Sequence, residues 1–111
     1  MTINIRRVEP VTILDLTGSF TAGEATQAFR NSVDEALSPG VTNLAINLAG
    51  VPFLDSSAIG LLVRTFLTLK ERGGEFRLFG ASTQVADTLR VIRLDKVLRV
   101  AEDETAALAS F

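Results

Sequence analysis

Apolar and polar residues alternate along Thr2–Val8, with Ile3 and Ile5 on the apolar side and Val8 as a further apolar residue at the end. A two-residue period of this kind marks a half-buried strand at a sheet edge. Pro10 permits a tight turn, and residues 11–16 read as a second strand, apolar at Val11, Ile13, Leu14 and Leu16 and closed by Gly18. From Thr21 the period lengthens. Ala25, Ala28, Phe29, Val33, Ala36 and Leu37 share one face of a helix that Pro39 and Gly40 end. Thr21, Ala22, Gly23 and Glu24 read as its capping box, with the Thr21 hydroxyl accepting from the backbone amide of Glu24 and the Glu24 side chain reaching back to the Thr21 amide. Residues 44–48 form a third strand, apolar at Leu44, Ala45, Ile46 and Leu48. A strand apolar on both sides belongs in the middle of a covered sheet.

The helical period returns at residues 57–72, where Ile59, Leu62, Val63, Phe66 and Leu69 are spaced to share a buried face, and Gly73 and Gly74 give a stop. Residues 75–79 read as a fourth strand. Ser82 or Thr83 caps a third helix with Val85, Ala86, Leu89 and Ile92 inward. Residues 97–100 suit a short strand and residues 103–109 a last, short helix. The order strand-strand-helix-strand-helix-strand-helix-strand-helix predicts an α/β fold. Its sheet is mixed and mostly parallel, with right-handed crossovers, an antiparallel N-terminal edge strand and about four packed helices. Arg6 and Arg7 decorate that edge and discourage further pairing.

At 111 residues the chain has the length of one domain, taken as residues 1–111. It is long enough to bury a core without covalent staples. No apolar run approaches the roughly 20 residues of a membrane span, and the first residues lack a signal-peptide core, so a cytoplasmic protein is expected. The net charge of −2 gives no electrostatic reason to expect nucleic acid, or insertion into an anionic membrane. The chain contains no His, Cys, Trp or Tyr. That removes the commonest general base and metal ligand and the thiolate nucleophile, so no catalytic residue, metal or cofactor is expected.

One stretch stands apart. Asp55-Ser56-Ser57 lies where the third strand hands over to the second helix, among the apolar residues Val51, Phe53, Leu54, Ile59 and Leu61. In an open α/β sheet, sites form beyond the carboxyl ends of the parallel strands. The segment 18–21 follows the second strand at the same end, so the two segments are expected to be neighbours. As a catalytic nucleophile Ser56 lacks a base, because only Lys70 and Lys96 could replace the missing His and neither is expected nearby. The G-x-S-x-G elbow and the P-loop are both absent. On local sequence alone, Asp and Ser before a helix are also ordinary capping residues.

The run from Val51 through Asp55-Ser56-Ser57 to Leu62 resembles the signature of STAS domains, in particular of bacterial anti-sigma factor antagonists. Leu16, Thr17, Gly18, Ser19 and Phe20 resemble that family's earlier strand-end motif, and Gly73, Gly74, Glu75 and Phe76 its entry into the next strand. The resemblance implies a phosphorylation switch. Ser56 would be phosphorylated by an anti-sigma factor serine kinase, the unmodified protein would bind that kinase, and a phosphatase would reset the cycle. Asp55, Ser57 and Thr21 would neighbour the switch, and Leu54, Ala58, Leu61, Arg64 and Thr68 would meet the partner. Ser57, Leu61, Arg64 and Thr68 fall opposite the expected buried stripe, so Leu61 is expected to face water beside Ser56. A phosphate adds roughly −1.5 to −2 charge, which a helix N-terminus tolerates. A binding loss of about 3 kcal/mol would lower affinity more than a hundredfold. The sequence departs from the family pattern at Thr21, where an Asp is usual, and at Ala58, where a Gly is usual. STAS domains also serve as scaffolding subunits of stress-sensing complexes and as partners of lipid-transport ATPases, and the missing acid at position 21 leans towards those roles.

Overall fold

The computed structural model describes residues 1–37, 40 and 42–111. Its elements are β1 (Thr2–Val8), β2 (Val11–Thr17), α1 (Glu24–Ala36), β3 (Asn43–Gly50), α2 (Ser56–Glu71), β4 (Glu75–Phe79), α3 (Thr83–Val91), β5 (Val100–Ala101) and α4 (Glu104–Ala109). Their order matches the sequence expectation. The sheet runs β1-β2-β3-β4-β5, with β1 antiparallel to β2 and every other neighbour parallel. The doubly apolar β3 lies at its centre.

The register sorts the side chains onto two faces. Leu14 and Leu16 of β2, Leu44, Ile46 and Leu48 of β3, and Phe76 and Leu78 of β4 pack under α1, α2 and α3 with Phe20, Phe29, Leu62 and Leu69. On the other face Val11, Ile13, Ala45 and Phe79 meet Ala107 of α4. Because α4 is short, the part of that face nearest β1 carries a polar cluster instead. Arg6 forms a two-pronged bond to Asp15, at 2.6 and 3.0 Å, and reaches Glu104 at 2.6 Å; Asn47 donates to Asp15 at 2.8 Å. Arg6 thus ties β1 and β2 to α4 instead of merely decorating the edge. Arg77, 3% exposed, is buried on β4 because each guanidinium nitrogen is engaged: it donates to Phe76 O and to Ser110 Oγ and O, pairs with Glu75 and lies over the Phe111 ring.

Four local expectations are corrected. The cap of α1 is Gly23, not Thr21; Thr26 Oγ1 accepts from the Gly23 amide, and Glu24 is the first helical residue. After β2 the chain continues past a bend at Gly18 to Phe20, where it is pinned to the 51–55 segment, and must turn over residues 21–23 before a helix can start. The expected β5 at 97–100 shrinks to Val100–Ala101, since residues 94–99 bend through turns closed by Leu98 N to Leu94 O and Arg99 N to Lys96 O. Ile92 is the exposed C-cap of α3 and does not face inward. The buried residues of α2 are Ala58, Leu61, Leu62, Thr65 and Leu69, while Ile59, Val63 and Phe66 are half-buried. The expected helix stop at Pro39 lies outside the described residues.

Candidate functional site

The ends of β2 and β3 are stitched together residue by residue. Gly18 donates to Gly50 O at 2.9 Å, Phe20 donates to Phe53 O at 2.9 Å, and Asp55 donates to Phe20 O at 3.1 Å. Phe20 and Leu54 form a parallel bridge. The two segments are neighbours, and their apolar side chains divide between core and surface. Phe20, Val51 and Leu54 are buried, whereas Pro52 and Phe53 point out. Phe20 stacks on Phe29 of α1 with ring centroids 5.1 Å apart, which anchors the first segment to the core. At Gly50 a Cβ would meet Leu16 O at 2.7 Å, so only glycine permits the close approach of the two strand ends.

Asp55 organises the start of α2. Its Oδ1 accepts from the Ala58 amide at 2.9 Å and caps the helix. Its Oδ2 accepts from the Ala22 amide at 2.9 Å, across from the other segment. Backbone amides donating to the charged form hold its carboxyl below the usual carboxylate range, that of Ala58 contributing most and that of Ala22 next. A carboxylate that stays ionised into more acidic solution than usual therefore stands beside Ser56, the first residue of α2. Ser56 and Ser57 are both exposed. Neither hydroxyl bonds to another described side chain or backbone group. Thr21 is half-buried in the adjoining turn.

The expected partner-facing residues separate into two groups. Arg64 is exposed and Thr68 half-exposed. Leu54, Ala58 and Leu61 are buried, with Leu61 at 6% exposure, so these three belong to the core, and only the edge of Leu61 reaches the surface between α1 and α2. The expectation that Leu61 faces water fails because α1 packs against that side of α2. The exposed apolar group beside Ser56 is instead Phe53, at 47%. No period within residues 51–54 marks Phe53 as the exposed one, since Val51 and Leu54 are buried while Pro52 and Phe53 are both exposed. Among the described residues no group of His, Cys, Asp or Glu is placed to hold a metal ion. No helix in them is long and apolar enough to cross a membrane.

A family model for the STAS domain matches residues 2–107. The chain belongs to the STAS domain family. It is 30% identical to an anti-sigma-B factor antagonist of Listeria monocytogenes, over 73% of this chain and 75% of that protein. The curated relatives it matches are spanned over 66% and 75% of their lengths. In structure it resembles the Thermotoga maritima protein TM1081, described as a candidate anti-sigma factor antagonist. That match has a TM-score of 0.90 at 24% identity and covers 97% of this chain and 92% of that one. It also resembles the anti-sigma factor antagonist SpoIIAA in its unphosphorylated form, with a TM-score of 0.66 at 20% identity over 86% and 97% of the two chains. At these identities the two solved structures show a shared STAS fold.

Proposed function

We propose that the protein is an anti-sigma factor antagonist whose Ser56 hydroxyl is a phosphorylation switch: unmodified, it binds an anti-sigma factor serine kinase; phosphorylated, it lets go. The observation that carries this reading is the exposed, unengaged Ser56 hydroxyl at the first position of α2, next to a carboxylate held charged by Ala58 and Ala22. The relatives named as anti-sigma factor antagonists support it. Esterification would take the local charge from −1 to about −3, since a phosphate adds roughly −1.5 to −2. The helix N-terminus offers the phosphate amide donors, so the fold is retained. A partner seated on Ser56 and the protruding Phe53 would meet that charge directly. A phosphatase then resets the surface. The role is one of binding, with no catalytic residue or cofactor in this chain, and is exercised in the cytoplasm.

The test compares Ser56→Asp and Ser56→Ala by calorimetry against the cognate kinase. The first is expected to lose binding with its melting curve unchanged, and the second to bind constitutively; equal affinities would refute the switch. One observation favours a second reading. Thr21 brings no charge to the loop beside Asp55, which suits a STAS subunit that scaffolds a stress-sensing complex or serves a lipid-transport ATPase without sigma-factor control. Stoichiometric phosphate on Ser56, mapped in protein from its native cytosol, would exclude it.

A further inference from the structure

Helices α1 and α2 lie side by side and leave between them an open groove of about 280 Å³. Its floor is apolar, built from Val33 of α1, Leu37 at the C-cap of α1 and Leu61 of α2. Its rims are cationic, with Arg30 on α1, Arg64 on α2 and Arg72 at the C-cap of α2, against the single carboxylate of Asp34. None of the three arginines forms an ion pair with another described residue, although the chain as a whole carries a net charge of −2. The hydroxyls of Thr65 and Thr68 also line the groove, but each donates to a carbonyl of its own helix, Leu61 O and Arg64 O. Donors for an incoming group are therefore guanidinium N–H groups, whose forked geometry matches carboxylates.

We infer that this groove is a docking site for an acidic, amphipathic segment of a protein partner. Arg64 on α2 and Arg72 at its C-cap are eight residues apart, a rise of about 12 Å along the helix. That spread exceeds a single small anion and suits acidic side chains about two turns apart on one segment. Between them the floor accepts an apolar side chain, in the manner of a helix laid into a groove. Arginine-rimmed apolar concavities are also where interface energy concentrates. The inference rests on the proposed partner-binding role and adds a second contact to it, on the flank of the helix that begins with Ser56. The exposed Arg64 and half-exposed Thr68 belong to this flank, and the buried Leu61 contributes its floor.

The test uses a synthetic helical peptide with leucines flanked by glutamates two turns apart, titrated into the isotope-labelled protein and followed by NMR. Shifts confined to groove residues, weakening with added salt, are expected. The Arg30→Glu/Arg64→Glu variant, changed only at exposed positions, should keep its melting temperature and bind about tenfold or more weakly, as loss of two exposed charge contacts implies. Ser56→Asp should leave peptide affinity unchanged. Equal binding of a lysine version of the peptide, displacement by inorganic phosphate, or concentration-dependent groove shifts without peptide (a second copy as occupant) would each overturn the inference. If the cognate partner responds to Ser56→Asp but the peptide ignores the groove, the switch stands and the groove falls; the converse removes the switch and keeps the groove.

Discussion

Two strand-to-helix junctions lie side by side at one end of this sheet, and they are built on different principles. The β3-to-α2 junction carries its own cap: Asp55 closes the helix with its side chain and presents Ser56 in the next position. The β2-to-α1 junction has no side chain at its cap. Gly23 takes a φ of +99°, which only glycine adopts readily, and the Ala22 amide beside it is satisfied by Asp55 from across the gap. One junction thus caps its own helix with a side chain, and the other borrows that side chain for its Ala22 amide. A change at Asp55 is felt in both, which couples the Ser56 surface to the loop that holds Thr21.

The contrast can be broken most severely at Phe20. Phe20 is fully buried in the dependent junction, so Phe20→Ala should cost about 3–5 kcal/mol in urea unfolding. Gly23→Ala comes next, at about 1–3 kcal/mol, since the cost lies in backbone conformation alone and an added Cβ meets nothing within 4 Å. Asp55→Asn sharpens the comparison through pH. The folded carboxyl of Asp55 is held low, chiefly by the Ala58 amide, so the unfolded state takes up protons first as the solution is acidified. Its stabilisation is present above the ordinary carboxylate pKa, about 4, and is lost as pH falls through the depressed folded value. The wild-type urea midpoint should therefore drop in acid, and the Asn variant should drop less. A residual fall is expected from Asp15, whose carboxyl is lowered mainly by its bond to Arg6. The smallest effect on stability belongs to Phe53→Ala, within about 0.5 kcal/mol because the ring is exposed. The same variant should nevertheless weaken kinase binding in calorimetry, and unchanged affinity would remove Phe53 from the contact surface.

Much of this architecture was legible along the chain. The alternation in Thr2–Val8 and the doubly apolar third strand assigned the edge and the centre of the sheet, because burial on one or two faces leaves a period that residue type alone records. The placement of Asp55-Ser56-Ser57 at a helix start came from capping chemistry, which is local. The face of α2 was not local. Its apolar residues cover more than half the helix surface, so spacing could not tell which arc meets the sheet and which meets α1. The result turned Leu61 inward and left Phe53 outside.

By itself the sequence determined the order of elements, the handover at Asp55 and the absence of the side chains on which most catalysis depends. Each of these is written in nearest neighbours or in simple composition. Only the tertiary structure decided that one carboxylate serves two junctions, that Arg77 is buried with each guanidinium nitrogen engaged, and that three arginines along two helices share a groove. Those features join residues far apart in the chain, and their energies depend on distances that only packing sets.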